Sequence, residues 1–247
     1  MKPAYVLLAT AAIFASAACN AEQGTSSNSN APIEAVAAPN GGDWTKTVTA
    51  TPEGGFLMGN PNADVKLVEY GSMTCPHCAV FAEAGAPALV DKYVKTGRVS
   101  FEFRNFVRDP LDITLSLIAR CGGPERFFPL TDAIFKDQRE FFERVQATPP
   151  DQQAALQQAS GAEAIQAYAR FAGLQQWAAQ RGLPSARQQQ CLSNQAEMDR
   201  LVQMNTDVAT QFPNFSGTPS FLINGKLLEE TASWDKLEPQ IRDALGS

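Results

Sequence analysis

Apolar and polar residues alternate over residues 99–104, where Val99, Phe101 and Phe103 interleave with Ser100, Glu102 and Arg104. That period of two predicts a strand over residues 98–106. Residues 65–70 form a short, mostly apolar run ending in a turn, and read as a second, buried strand. Between the two, residues 76–96 carry Val80, Phe81, Leu89, Val90 and Tyr93 among polar neighbours, a helix that Pro87 kinks and Gly97 closes. Strand, helix and strand of these lengths predict a parallel, right-handed crossover. Upstream, the Thr- and Val-rich residues 45–51 fit an extended segment ended by Pro52-Glu-Gly-Gly55.

From Asp112 to about Gln211 the pattern turns helical and rich in Gln and Ala, with breaks at Gly122-Gly-Pro124, Pro149-Pro150, Gly161 and Gly182-Leu-Pro184. Its last segment holds a 3.6-residue period through Met198, Leu201, Val202, Asn205, Val208, Ala209 and Phe212, with Asn205 as a polar interruption. Strand then returns: Phe221-Leu-Ile and Lys226-Leu-Leu flank Asn224-Gly225, a strong hairpin signal. Residues 234–245 close the chain as an amphipathic helix with Leu237, Ile241 and Leu245 spaced at four; Pro239 either kinks it or marks its first turn. The order is strand, helix, strand, helical block, hairpin, helix.

Composition adds bounds rather than detail. At 247 residues with 44% hydrophobic content the chain has ample material for a buried core. A net charge of −6 and the absence of a basic patch argue against nucleic acid as a partner. The start of the chain changes the picture more. Met1-Lys2 precedes an apolar, Ala-rich run too short to span a bilayer, ending in the small-residue sites Ala15-Ser-Ala17 and Ser16-Ala-Ala18. Residues 1–18 therefore read as a secretory signal. Cys19 resembles the lipid-modified cysteine of bacterial lipoproteins, departing at Ser16, where that family carries a bulky aliphatic. A lipid anchor at Cys19 and removal of the signal by ordinary cleavage both stay open. Residues 19–42 are polar and aperiodic and read as a flexible tether, leaving residues 43–247 as the folded domain. Export places the chain in an oxidising compartment, where Cys75, Cys78, Cys121 and Cys191 suggest two pairs.

The chemistry concentrates in Cys75-Pro-His-Cys78, directly after the 65–70 strand. A C-x-x-C admits three explanations. A zinc site needs four ligands, usually a second close pair or histidines, whereas Cys121 and Cys191 are isolated and His77 is the only histidine. A structural disulfide gains little by closing so short a loop. A redox pair suits a strand-to-helix junction, where the helix start makes a thiol reactive. Pro76 fits the first helical position, where no N–H is needed. The helix dipole favours an anion by up to ~2 kcal/mol, which brings a thiol from about 8.5 to about 7. Further lowering calls for the N–H groups of His77 and Cys78 and for the imidazole when charged. A stabilised thiolate makes the disulfide more oxidising, so Pro76-His77 points to an acceptor of electrons from substrate thiols.

Cys75-Pro-His-Cys78 resembles the active-site tetrapeptide of the DsbA-type thiol–disulfide oxidoreductases of the bacterial periplasm. Ser216-Gly-Thr-Pro-Ser-Phe-Leu-Ile-Asn-Gly-Lys226 is similar to that family's cis-proline loop and following hairpin, and the likeness runs over roughly residues 56–245. The resemblance implies a thioredoxin-like α/β fold with a helical subdomain, about residues 112–211, inserted between the βαβ unit and the C-terminal hairpin and helix. It implies that Pro219 is cis and faces Cys75–Cys78, and that Thr218 pairs its backbone with substrate. It implies that Glu69 is the buried acid that moves the proton of Cys78; a strand-end glutamate reaching solvent is the alternative. It also implies a second, structural disulfide between Cys121 and Cys191, with two free buried thiols as the alternative. No cofactor beyond the redox-active disulfide is expected, and no metal. The implied partners are reduced exported proteins and a membrane redox partner, with the protein itself a monomer. The chain departs from the family at Gly71-Ser-Met-Thr74, where aromatics are common. Thr218 also precedes the cis-proline in isomerase-like relatives, which keeps isomerase or reductase activity, or a non-enzymatic binding module, beside the oxidase reading.

Overall fold

The computed structural model describes Met1 and residues 33–246. Residues 2–32, which hold Cys19, nearly all of the signal and most of the tether, lie outside the described residues. The tether ends earlier than residue 42, because Val36 is already pinned: its N–H donates to the Thr96 carbonyl at 2.7 Å, and its carbonyl accepts from the Trp44 indole at 2.8 Å.

Strands β1 (Val48–Ala50), β2 (Phe56–Gly59), β3 (Val65–Gly71) and β4 (Val99–Asn105) join β5 (Ser220–Ile223) and β6 (Lys226–Leu227) in one sheet. Its order is β1-β2-β4-β3-β5-β6. The crossover is present as predicted: β3 and β4 are parallel, with Val65 beside Val99 and Gly71 beside Asn105. The helix between them is two helices, α1 (Pro76–Ala84) and α2 (Ala86–Lys92). The break falls at Gly85, where a Cβ would come within 2.6 Å of the Phe81 ring, and Pro87 sits in the first turn of α2. Strand β2 is not predicted above. Four residues between Gly55 and Asn60 show no alternation, and their antiparallel pairing with β1 on one side and β4 on the other makes them a strand.

The inserted block runs as α3 (Pro110–Cys121), α4 (Pro124–Lys136), α5 (Gln138–Gln146), α6 (Pro150–Gln158), α7 (Gly161–Phe171), α8 (Leu174–Gln180), α9 (Ser185–Leu192) and α10 (Gln195–Gln211), and α11 (Trp234–Leu245) ends the chain. Pro239 lies inside α11, whose first turn starts at Trp234. Helix α4 carries Phe127 and Phe128 onto one sheet face, stacking on Phe56 at 4.1 Å and tilting against Phe101 and Phe103. Each such ring contributes roughly 1.5–3 kcal/mol of burial. The other sheet face is smaller, with Val68, Tyr70 and Leu222 under Val208 of α10. Within α10 the inward stripe is Met198, Leu201, Met204 and Val208; Val202 points outward and is 52% exposed. Asn205 is not idle: its side chain takes the Val107 N–H at 3.0 Å and donates to the Val107 carbonyl at 2.6 Å.

Cys121 and Cys191 are bridged, tying α3 to α9 across a separation of 70 residues. The chain-entropy model gives such a ring roughly 4 kcal/mol. No helix among the described residues is long and apolar enough to cross a membrane.

Candidate active site

The topology brings distant residues together at one end of β3. The strand stops at Gly71, where a Cβ would strike the Phe103 ring at 2.4 Å. Residues 72–74 turn the chain, and Cys75 becomes the residue before the first turn of α1, with Pro76 opening the helix. Because β5 runs antiparallel to β3 and sets Ser220 beside Tyr70, the residues just ahead of β5 arrive against Cys75. There the Thr218–Pro219 peptide bond is cis, and the Cys75 sulfur lies 3.1 Å from the Thr218 carbonyl.

The two sulfurs are unbridged and unlike. Cys75 is lowered to about 5, first by the hydrogen bond from the Cys78 thiol, then by the Thr218 side chain and the N–H groups of Cys78 and His77, against the cost of burial. Cys78 is fully buried and pushed well up, by burial first, then by its bond to Cys75 and the charges of Glu69 and Cys75, with the Ser72 backbone opposing. Pro76 and His77 stand exposed on the first turn, and His77 acts on Cys75 through its backbone N–H. Glu69 lies beneath the pair at 3% exposure, so it does not reach solvent. Its Oε1 has no hydrogen-bond partner, and burial, followed by the charges of Cys75 and Asp132, raises its carboxyl well above the usual range. Cys121 and Cys191, tied to each other at α3 and α9, take no part in this cluster.

Residues not singled out from the sequence hold the turn. Asp112 accepts from the Ser72 hydroxyl at 2.5 Å and the Met73 N–H at 2.9 Å. Burial pushes its carboxyl up to about 7, with the Ser72 hydroxyl opposing. Gln138 donates to the carbonyls of Met73 and Cys75 at 2.9 and 3.0 Å, and the Thr74 hydroxyl donates to Asp109 at 2.9 Å. A signal for part of this exists in Asp109-Pro-Leu-Asp112, the spacing of a helix start with a capping acid. Asp109 does cap α3 through the Asp112 N–H at 2.9 Å.

A family model described as thioredoxin matches residues 51–243. The chain belongs to the thioredoxin family. Within it, a solved structure described as a protein-disulfide isomerase from Novosphingobium aromaticivorans is 37% identical, covers 77% of this chain and 97% of that one, and superposes with a TM-score of 0.73. The alpha-DsbA1 of Wolbachia pipientis shares the fold at 21% identity and a TM-score of 0.59, over 77% of this chain and 90% of that one. Among curated relatives, a Rickettsia bellii protein named for protein-disulfide oxidoreductase activity is 29% identical over 174 residues, 70% of this chain and 58% of that protein. The chain spans less than two thirds of the length of that relative and of its Rickettsia prowazekii counterpart, of which 65% is covered. The thioredoxin-like sheet with its helical insertion is thus a family architecture, filled here by a Cys-Pro-His-Cys turn.

Proposed function

We propose that the protein is a thiol–disulfide oxidoreductase that introduces disulfides into exported polypeptides in the periplasm, using the Cys75–Cys78 disulfide as its only redox group. The observation that carries this reading is the inequality of the two sulfurs: one held as a thiolate at the helix start, the other buried and held as a thiol. In the oxidised form a substrate thiolate attacks the Cys75 sulfur. A bond forms between them, the Cys75–Cys78 bond breaks, and Cys78 leaves as a thiolate that takes a proton from Glu69. A second substrate thiolate then attacks the substrate sulfur of the mixed disulfide. The substrate leaves oxidised, and Cys75 departs as the stable thiolate, which makes it a good leaving group. Thr218, cis to Pro219 and in contact with Cys75, offers backbone groups to an extended substrate segment.

The periplasmic reading is supported by the secretory signal read over residues 1–18 and by the Cys121–Cys191 bridge, of a kind that persists in oxidising surroundings. Return to the oxidised form needs an electron acceptor, for which a membrane redox partner is proposed. A second reading, isomerase or reductase use of the same pair, is favoured by the 37% identical structure and its description as an isomerase. The reduction potential of Cys75–Cys78 separates them. A value well above that of thioredoxin, about −270 mV, supports the oxidase, and a value near it supports the reductase. Replacing Cys78 with Ala is expected to trap substrates on Cys75 in either case; an absence of adducts would leave only a binding module.

A further inference from the structure

The backbone of Cys75 is held from three directions. Its N–H donates to the Ser72 carbonyl at 3.1 Å, and its carbonyl accepts from the Ala79 N–H of α1 at 3.2 Å and from the Gln138 amide of α5 at 3.0 Å. The same amide nitrogen donates to the Met73 carbonyl at 2.9 Å. A primary amide carries two N–H donors and no charge. One buried side chain therefore serves two buried carbonyls without the desolvation cost that an ammonium would meet there. Gln138 is itself fixed. It is buried as the first residue of α5, and the Asp137 carboxylate ahead of it takes the Trp177 indole N–H at 2.7 Å and the Arg181 guanidinium at 2.8 Å. These bonds hold Cys75 at φ −88° and ψ 119°, the extended conformation of a residue that precedes a helix. With the N–H and the carbonyl both held, rotation about Cα–Cβ is the one soft torsion left to the sulfur. The sulfur lies 3.1 Å from the Thr218 carbonyl, where a capping atom meets the second and third N–H groups of the helix, those of His77 and Cys78.

We propose that Gln138 is a positioning residue for the attacking cysteine: by clamping the Met73 and Cys75 carbonyls it places the Cys75 sulfur between the start of α1 and the Thr218 carbonyl. The inference rests on the thiol–disulfide exchange proposed above and names a residue through which the helical insertion reaches that reaction. Gln138 bonds to the Cys75 backbone and acts on the sulfur through the place that the backbone gives it. Without the amide, the two carbonyls lose their shared donor and the turn relaxes. The bonds to the sulfur then lose alignment, on which their strength depends steeply. A less stabilised thiolate makes the disulfide less oxidising.

The test uses Gln138→Met, which keeps the length of the side chain and removes both donors. Two quantities are read. One is the midpoint of Cys75 thiolate absorbance in the reduced protein. The other is the equilibrium at pH 7 in which the protein disulfide and two reduced glutathione molecules give the dithiol and one oxidised glutathione. The midpoint is expected to rise by about one pH unit from near 5, and the equilibrium constant to fall about tenfold, the scale of one hydrogen bond to a charged group. Gln188 of α9 supplies the control. It is also buried, and its amide nitrogen donates to the carbonyls of Gln175 at 3.0 Å and Leu183 at 2.7 Å, neither of them in the Cys75 turn. Gln188→Met removes bonds of the same kind from the same insertion, so it should lower the denaturant midpoint and leave both quantities unchanged. A folded Gln138→Met protein that titrates as the wild type overturns the proposal, as does an equal shift in Gln188→Met. Should Gln138→Met not fold, Gln138→Asn, which withdraws the amide by one methylene, decides by the same two readings. The absorbance titration needs no substrate. A wild-type disulfide unable to oxidise a reduced polypeptide would overturn the oxidase reading, and the titration tells that failure apart from a failure of this proposal.

Discussion

The Cys75 sulfur lies 3.1 Å from the Thr218 carbonyl, although 143 positions separate the two residues. The contact joins the helix start that carries the thiol to the cis-proline loop ahead of β5, and the Thr218 side chain is among the groups that keep the Cys75 pKa near 5. Thr218→Val keeps the shape and removes the hydroxyl. A hydrogen bond to a charged group is worth about 1.5–3 kcal/mol, so Cys75 is expected to rise from about 5 into the range of about 6 to 7. Thiolate absorbance across a pH titration of the reduced protein reads this directly. An unchanged midpoint would remove Thr218 from the set of groups that poise the thiol.

Separated titrations of the two thiols make the reduction potential bend with pH. Below about 5 both sulfurs of the reduced form carry protons, so reduction takes up two; above it Cys75 is a thiolate and reduction takes up one. For a two-electron couple one proton per pH unit is about 30 mV. The potential is expected to fall by about 60 mV per pH unit below the break and by about 30 mV above it. The same linkage sets stability. With its folded pKa depressed, Cys75 stabilises the reduced form fully above its unfolded pKa, and that stabilisation is lost as pH falls toward 5. Equilibration with glutathione between pH 4 and 8 checks the slope; a single slope across this range contradicts the assignment.

Much of this site was legible in the chain, and the rest fails for one physical reason. The period-two run at Val99–Arg104 and the helix start at Pro76 are local signals, and both elements stand where they were expected. The dipole and N–H argument for Cys75 has the right sign but falls short, because the largest lowering comes from the Cys78 thiol, a contact between side chains. The N–H groups of Cys78 and His77 do lower Cys75, as the helix start implies. Strand β2 and the outward turn of Val202 depend on what packs beside them. Asp112 and Gln138 meet the Cys75 turn across separations of 39 and 63 residues, which no periodicity encodes.

Glu69 is a buried acid with an oxygen that has no partner, an arrangement that costs stability and suits the proton carrier proposed above. Its raised folded pKa means that the native state holds its proton where the unfolded chain has released it. The contribution of Glu69 to stability is therefore fullest at low pH and declines as pH rises above the unfolded value near 4.5. Glu69→Gln removes that decline. The variant is expected to melt at a higher temperature than the wild type at pH 8 and to differ little at pH 4. The release of glutathione from a Cys75 mixed disulfide by Cys78 should fall about a hundredfold, the lower end of the range for a positioned proton carrier. A variant that is less stable at pH 8, or as fast as wild type, would leave Glu69 without this role.

The Cys121–Cys191 bridge provides the opposite case, stability without poise. It closes a long ring at the C-terminal end of α3, whereas Asp112 grips the Cys75 turn from the N-terminal end of the same helix. Replacing both cysteines with Ala should cost up to roughly 4 kcal/mol in denaturant unfolding, the entropy of a ring of this size. The helix is also held by Arg120, which bonds Glu197 of α10 at 2.5 Å and the Gly54 carbonyl at 2.8 Å, so α3 should keep its place without the bridge. Thiolate absorbance of Cys75 should then titrate as in the wild type. A shift in that midpoint, with the protein still folded, would mean that the bridge reaches the redox pair through α3.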